Sequence, residues 1–330
     1  MKNRTIDYLR ISVTDRCNLR CKYCMPEKVT NVRHEEILRY EEILQIAKAG
    51  AGEGIRHIRV TGGEPLVRKG VEDFIGSLKK IPGIETVSLT TNGILLSEKI
   101  EALKRAGTDG INISLDTTDR AHFQKITGTD AMDTVMKAIS DSFDAGIQTK
   151  INVAVTEETT EEEILSLAEL SENRNIAVRF IEMMPIGCGA SFQTVDNEQV
   201  LEMIRRKYSD IRPEDPASFS SKFRCGFGPA VYYRIPGFAG STGFISAVHH
   251  KFCTDCNRLR LTSTGFLKYC LCYDDGEDLK KTVRGELSRE EKEEILKKAF
   301  QTARTHKPEG HCFDRPGKIS EKKPMVGIGG

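Results

Sequence analysis

Apolar and polar residues along this chain fall into alternating blocks, short β-branched runs separated by longer stretches with helical period. The run Tyr8–Thr14 (YLRISVT) has strand character, and Tyr40–Ala49 places Ile43, Leu44, Ile46 and Ala47 on one helical stripe. Further strand patterns lie at His57–Thr61, Thr86–Thr91, Gly110–Asp116, Lys150–Val155 and Ala177–Met184. Between them come helical patterns near Val71–Lys80, Glu98–Ala106, Met132–Ala145 and Glu161–Leu170, with Gly107 as a C-terminal cap on the third helix. Strands separated by helices of this length imply right-handed parallel crossovers, hence a doubly wound sheet or an open barrel.

The unusual residues choose between the two. They follow strand ends: cysteines after the first, Gly62-Gly63-Glu64-Pro65 after the second, Thr91-Asn92-Gly93 after the third. Barrel enzymes gather their sites from many strand ends, whereas a doubly wound sheet relies on its switch point. The pattern therefore predicts an α/β chain with a partial, open (βα)6 TIM-type barrel. A helix over Asn197–Tyr208 closes this unit, and the composition shifts at Ile211–Pro216. The expected division is 1–210 for the barrel and 211–330 for a C-terminal segment with fewer helices. Its tail, Lys322 to Gly330, reads as extended or mobile.

Composition narrows the function. Across 330 residues, 49 lysines and arginines face 48 acids, so no overall field favours nucleic acid or an acidic membrane surface, and any anion site is local. Met1-Lys2-Asn3-Arg4 runs straight into a strand without the apolar stretch of a signal peptide, and no segment is apolar enough to cross a bilayer. The chain reads as cytoplasmic. The chain has ten cysteines, and in that reducing setting the clustered ones read as metal ligands or catalytic thiols rather than disulfides.

Three of them, Cys17, Cys21 and Cys24, lie within eight residues. Three thiols satisfy three irons of a 4Fe–4S cubane and leave the fourth iron open for an exogenous ligand. Structural zinc would ask for a fourth nearby protein ligand, and none follows in the loop. The second group, Cys253, Cys256 and Cys270, is less decided by spacing. Zinc and iron–sulfur both remain open there, with Cys272, Cys312, His249 or His250 available to complete a four-ligand zinc site.

C-x3-C-x2-C with Tyr23 before the third cysteine, after the first strand and followed by GGEP after the second, resembles the radical S-adenosylmethionine superfamily. With C-x2-C-x13-C, the run Asn257-Arg258-Leu259-Arg260 and the terminal Gly329-Gly330, the whole chain resembles the GTP 3′,8-cyclase family of molybdenum-cofactor biosynthesis. That resemblance implies two 4Fe–4S clusters. The first, on Cys17, Cys21 and Cys24, chelates S-adenosylmethionine, whose reductive cleavage yields a 5′-deoxyadenosyl radical. Tyr23, Gly63, Ser114 and Met184 contact that cofactor. The second, on Cys253, Cys256 and Cys270, binds the guanine of GTP through its open iron; a fourth thiol from Cys272 would prevent this. The radical removes the C3′ hydrogen of GTP, and C3′ adds to C8.

No G-x4-G-K-S/T loop is present, so dispersed side chains must hold the triphosphate. Strand-borne cations are the candidates, because a charge facing a barrel interior is costly unless solvated or paired with an anion. The resemblance implies GTP contacts at Arg10, Arg59, Thr90, Lys150 and the run Arg258, Leu259 and Arg260; Arg179 joins them by its strand position. Arg258 and Arg260 would also act late in catalysis, with Gly329 and Gly330 on a tail entering the site. His57 stands where the family has lysine, so triphosphate affinity is expected to fall as pH rises through the histidine range. Implied partners are an electron donor such as flavodoxin or ferredoxin, the downstream cyclic pyranopterin monophosphate synthase, and a second copy in a homodimer. The alternatives are a peptide-modifying radical S-adenosylmethionine enzyme and a non-enzymatic zinc-binding module.

Overall fold

A computed structural model of the chain describes residues 4–26, 28, 32–215 and 228–329. The six expected strands are β1 (Tyr8–Ser12), β2 (His57–Thr61), β3 (Thr86–Thr91), β4 (Gly110–Ser114), β5 (Gln148–Val155) and β6 (Ala177–Glu182). They pair in parallel in chain order. A doubly wound sheet reverses its order at a switch point. This one never does, which is the winding of a barrel.

The remaining strands are β7 (Arg212–Pro213), β8 (Val231–Arg234), β9 (Ser241–Ile245), β10 (Arg258–Leu261), β11 (Phe266–Lys268) and β12 (Gly276–Asp278). β9 adds parallel to β6, and β10 adds parallel to β1. The C-terminal part thus extends both edges of the six-stranded unit, with antiparallel pairs outside. β12 and β7 are the two ends of the strand order, and the sheet does not close.

Strand alternation divides the residues by chemistry. Leu9, Ile11, Ile58, Val60, Ile111, Ile151 and Val178 are fully buried towards the helices. Burying one such side chain contributes about 1.5–3 kcal/mol. The alternate positions carry Tyr8, Arg10, Arg59, Asn112, Asn152, Arg179, Arg258 and Arg260. Helix starts follow local chemistry: Thr160 and Glu163 form a reciprocal capping box on Glu161–Glu169, as do Ser288 and Glu291 on Arg289–His306. Phe300 of that last helix packs over Gly50 of the helix Tyr40–Gly52, where a Cβ would come within 2.8 Å of the ring. The helix Arg120–Thr127, only two turns long, escaped the periodicity reading, as did Lys280–Arg284 and the 18-residue Arg289–His306 in the C-terminal part.

The tail departs from expectation. Met325–Ile328 is a helical turn with Val326 and Ile328 buried, and Glu321 upstream makes a buried ion pair with Lys268. A second small core of Ile186, Leu271, Phe313, Ile319 and Ile328 holds it. Single apolar residues spaced among lysines and glycines each find a preformed recess, which an average over composition conceals. Gly330 lies outside the described residues.

Candidate active site

One cavity runs along the polar inner face of the sheet, lined by side chains from β10 round to β9, and both cysteine triplets open on it. Register places the triplets at opposite ends. Cys17, Cys21 and Cys24 follow the C-terminal end of β1. Cys256 precedes β10, which begins beside Tyr8 at the start of β1, and Cys270 follows β11, which runs back against β10.

The first triplet is held by backbone and amide contacts. Cys24 and Met25 donate backbone N–H bonds to the Cys21 carbonyl, Leu19 N–H lies 3.4 Å from Cys17 Sγ, and the Asn92 side-chain amide donates to Asn18 Oδ1 at 2.8 Å. Glu64 sets this arrangement. Its buried carboxylate accepts from Leu66 N–H at 3.0 Å, Thr91 Oγ1 at 2.8 Å and Asn92 N–H at 2.7 Å, tying the GGEP loop to the end of β3. Burial, partly offset by those bonds, pushes its carboxyl up to about 7. Gly63 N–H donates to Thr14 O at 2.7 Å, and a Cβ on Gly63 would lie 2.4 Å from Arg16 O. The close approach that demands glycine is therefore to the cysteine loop itself. Tyr23 donates to Asp116 Oδ2 at 2.6 Å, and Asp116 Oδ1 accepts from Ala154 N–H. Ser114 and Met184 join Tyr23 and Gly63 in the cavity wall.

The middle of the cavity is cationic. Arg10 pairs in register with Arg59 on one side and Arg260 on the other, and Tyr8 with Arg258. Arg59 Nε donates to the Tyr8 hydroxyl at 2.5 Å, and Arg179 Nη2 to Asn152 Oδ1 at 2.5 Å. Among the described residues, Arg59, Arg179, Arg258 and Arg260 form no ion pair with a carboxylate. Burial and then Arg258 lower the Arg260 guanidinium to about 10, and burial with Arg260 depresses Arg10. Buried guanidinium groups without acids are unfavourable by themselves and favourable around a polyanion.

At the second triplet, Cys253 begins a 3₁₀ turn to Asp255, and His311 N–H lies 3.4 Å from Cys253 Sγ. Cys272 turns away from the cavity into the small core, 3.3 Å from Cys312 Sγ. Chain 269–273 is a bend rather than a strand, so parity does not bring Cys270 and Cys272 to one centre. His249 is taken by Glu182 at 3.0 Å and His250 by Glu198 at 3.2 Å. The tail reaches the same space: Met325 lines the cavity, Gly329 O lies 3.4 Å from Arg260 Nη1, and Gly329 has φ +79°.

The donor sets fit open iron–sulfur clusters better than zinc. Tetrahedral zinc thiolates bring sulfurs to about 3.8 Å from one another. Among the described residues, the groups of three donors that lie within 4.8 Å of one another comprise only Glu182, Asp196, Glu198, His249 and His250, with no cysteine. Wider-set thiols, three at each end, suit the corners of a cubane.

Not every expected residue reaches the cavity. Thr90 does, but Lys150 is buried at the next same-face position of β5 below Asn152 and is not in the wall. Leu259 points its side chain into the main core. His57 is buried with Nδ1 3.0 Å from Thr86 Oγ1; it does not line the cavity itself but lies with its ring centroid 6.5 Å from that of Tyr8, which does. Tyr8, Asp116, Asn152 and Lys307 were missed. Strand parity with Arg10 and Ser114 pointed to Tyr8 and Asp116; nothing local pointed to Lys307.

Residues 11–171 match the Radical SAM superfamily, and residues 176–313 match Molybdenum Cofactor Synthesis C. A GTP 3′,8-cyclase of Clostridium perfringens (strain SM101 / Type A) is 43% identical over 329 residues, 99% of this chain and 98% of that one. The chain belongs to the GTP 3′,8-cyclase family. Another GTP 3′,8-cyclase, from Thermodesulfovibrio yellowstonii, is 41% identical over 99% of this chain and 98% of its own. The chain is thereby a radical S-adenosylmethionine enzyme of molybdenum-cofactor biosynthesis, which implies a 4Fe–4S cluster and S-adenosylmethionine. The Streptococcus suis SuiB structure bound to precursor peptide SuiA superposes with TM-score 0.61 at 14% identity, covering 97% of this chain and 75% of that one. At that identity the likeness concerns the fold alone. Among the described residues no helix is long and apolar enough to cross a membrane.

Proposed function

We propose that this chain converts GTP to 3′,8-cyclo-7,8-dihydro-GTP, with residues 1–210 generating the radical and 211–330 supplying the second cluster and much of the substrate site. The observation that carries this reading is the buried Arg59, Arg179 and Arg260 and the half-buried Arg258, which lie between two cysteine triplets and, among the described residues, lack acidic partners. A triphosphate supplies the missing anion through bidentate contacts. Cys17, Cys21 and Cys24 would hold the first 4Fe–4S cluster, which with S-adenosylmethionine supplies a 5′-deoxyadenosyl radical. Cys253, Cys256 and Cys270 would hold the second, facing the guanine. Tyr23, Gly63, Ser114 and Met184 orient the cofactor; Arg10, Arg59, Thr90 and Arg179 orient the nucleotide. With the ends of the cavity so divided, C3′ of the ribose sits between the two, and the work of the protein is orientation. The C3′ hydrogen is removed, C3′ joins C8, and reduction with protonation completes the product. Arg258 and Arg260, with Gly329 beside Arg260, serve the late steps. A flavodoxin or ferredoxin delivers the electron, cyclic pyranopterin monophosphate synthase takes the product onward, and the setting is cytoplasmic.

The test is an anaerobic incubation with GTP, S-adenosylmethionine and a reductant. About eight irons and eight sulfides per chain are expected, with 5′-deoxyadenosine formed only when GTP is present. Zinc in place of iron, or 5′-deoxyadenosine formed regardless of GTP, would overturn the reading.

A further inference from the structure

Lys307 follows the helix Arg289–His306 and is buried at 7% exposure. Its ammonium donates to Arg258 O at 2.6 Å and to Tyr269 O at 2.7 Å. Arg258 is two residues after Cys256, and Tyr269 immediately precedes Cys270. One side chain thus spans two arms of the second triplet. The third arm is tied to the same point: Arg4 donates to Cys253 O at 2.7 Å and to the Lys307 carbonyl at 3.0 Å.

Hydrogen bonds to carbonyls satisfy the donors of an ammonium but not its charge. Among the described residues no carboxylate forms an ion pair with Lys307. The groups that act most strongly on its charge are the thiols of Cys256 and Cys270 and, opposing them, the cations Arg4 and Arg260. A buried ammonium so placed is costly unless an anion occupies the centre it faces. Three thiolates outweigh the core charge of a 4Fe–4S cluster, so the assembly is anionic and becomes more so on reduction. A fixed cation beside it favours the reduced form, since net charge and surrounding dipoles set cluster potentials. Among the described residues the first triplet has no such buried lysine: Glu64 and Asp116 face it, opposed by the exposed Arg20, which donates to Cys17 O at 2.7 Å.

We propose that Lys307 is a positioning residue for the second cysteine triplet, a built-in counter-cation that fixes its arms and raises the reduction potential of the cluster they hold. This rests on the reading that Cys253, Cys256 and Cys270 carry a 4Fe–4S cluster.

The experiment uses the full chain, reconstituted anaerobically, with Lys307→Met and Lys307→Arg variants. Iron and sulfide are counted, each cluster is titrated through its paramagnetic reduced state with dithionite and mediators, and iron loss to a chelator is timed. A chain in which Cys17, Cys21 and Cys24 are replaced by alanine assigns the second signal. About four irons in the unaltered chain would mean that the second-cluster reading has failed, and the role of Lys307 with it. With about eight, Lys307→Met is expected to lower the potential of the second cluster and release its iron several-fold faster. The first cluster stays unchanged, and Lys307→Arg restores most of both properties. Should Lys307→Met lose the second cluster outright, its retention in Lys307→Arg supports the proposal, and its loss in both variants overturns it. An unchanged potential and release rate in Lys307→Met, or equal damage to both clusters, overturns it as well.

Discussion

The two ends of the cavity hold the same kind of donor set in opposite electrostatic settings. Around the first triplet stand the carboxylates Glu64 and Asp116. Burial, then Asp116, raise the Cys21 thiol, and burial, then the thiols of Cys17 and Cys188, push Cys24 up to about 12, with Asp116 adding least. Around the second stand Lys307, Arg258 and Arg260. Burial raises the Cys256 thiol there too, but these cations outweigh it and the net direction is downward, while burial still raises Cys253 of the same triplet. Metal ligation removes the thiol protons at both ends, so the contrast bears on what else each end accepts. In the function proposed above, the sulfonium cofactor lies at the acidic end, the guanine faces the second triplet, and the triphosphate lies among the arginines between them.

The sharpest way to break this division is to remove one thiol from each end. Cys24→Ala is expected to abolish 5′-deoxyadenosine formation and to lower iron from about eight to about four per chain. Cys256→Ala should lose as much iron while still binding S-adenosylmethionine, with cyclisation absent. If Cys256→Ala also loses cofactor binding, the ends are not separate. A smaller effect is expected from Arg260→Met. Losing one charge-assisted contact costs about 1.5–3 kcal/mol, so GTP affinity by calorimetry should fall roughly ten- to hundred-fold. The nucleotide-free chain should melt no lower than the parent, because repulsion with Arg10 and Arg258 is relieved. A clear drop in Tm would show that these arginines stabilise the fold.

The smallest effect concerns pH. Burial raises the Tyr8 phenol, but Arg59, Arg10 and Arg258 outweigh it and bring it to about 8. The phenol lies between Arg258 on β10 and His57 and Arg59 on β2, with Arg10 two residues along its own strand. Above that pH a phenolate competes with the triphosphate for the same guanidinium groups. Binding of the anion then requires proton uptake, so GTP affinity should decline as pH rises past about 8, by at most about tenfold per pH unit. Tyr8→Phe should flatten that decline. An unaltered slope in the variant would assign the pH dependence elsewhere.

Much of the architecture was legible in the chain because it is local. The periodicities of Tyr40–Ala49 and Glu161–Leu170 survive without knowledge of their neighbours, and the parity of Arg10 and Arg59 already placed guanidinium groups on an inner face. The site was legible in residue types but less so in placement. Lys150 and His57 have the right parity and stop short of the cavity, since depth along a strand depends on the stagger between strands. Cys272 shares the spacing of a ligand, yet a bend sends it to Cys312.

By itself the sequence determined the six parallel strands with their helices, the two thiol triplets and the inward cations, since spacing and alternation encode these within a few residues. Only the tertiary structure decided that β9 and β10 flank the barrel, that the tail folds over Arg260, and that Lys307 clamps the second triplet. Those contacts join segments far apart in the chain, Arg4 to Cys253 and Tyr8 to Arg258 among them. Such pairings are chosen by packing and charge in three dimensions and leave no periodic trace in one.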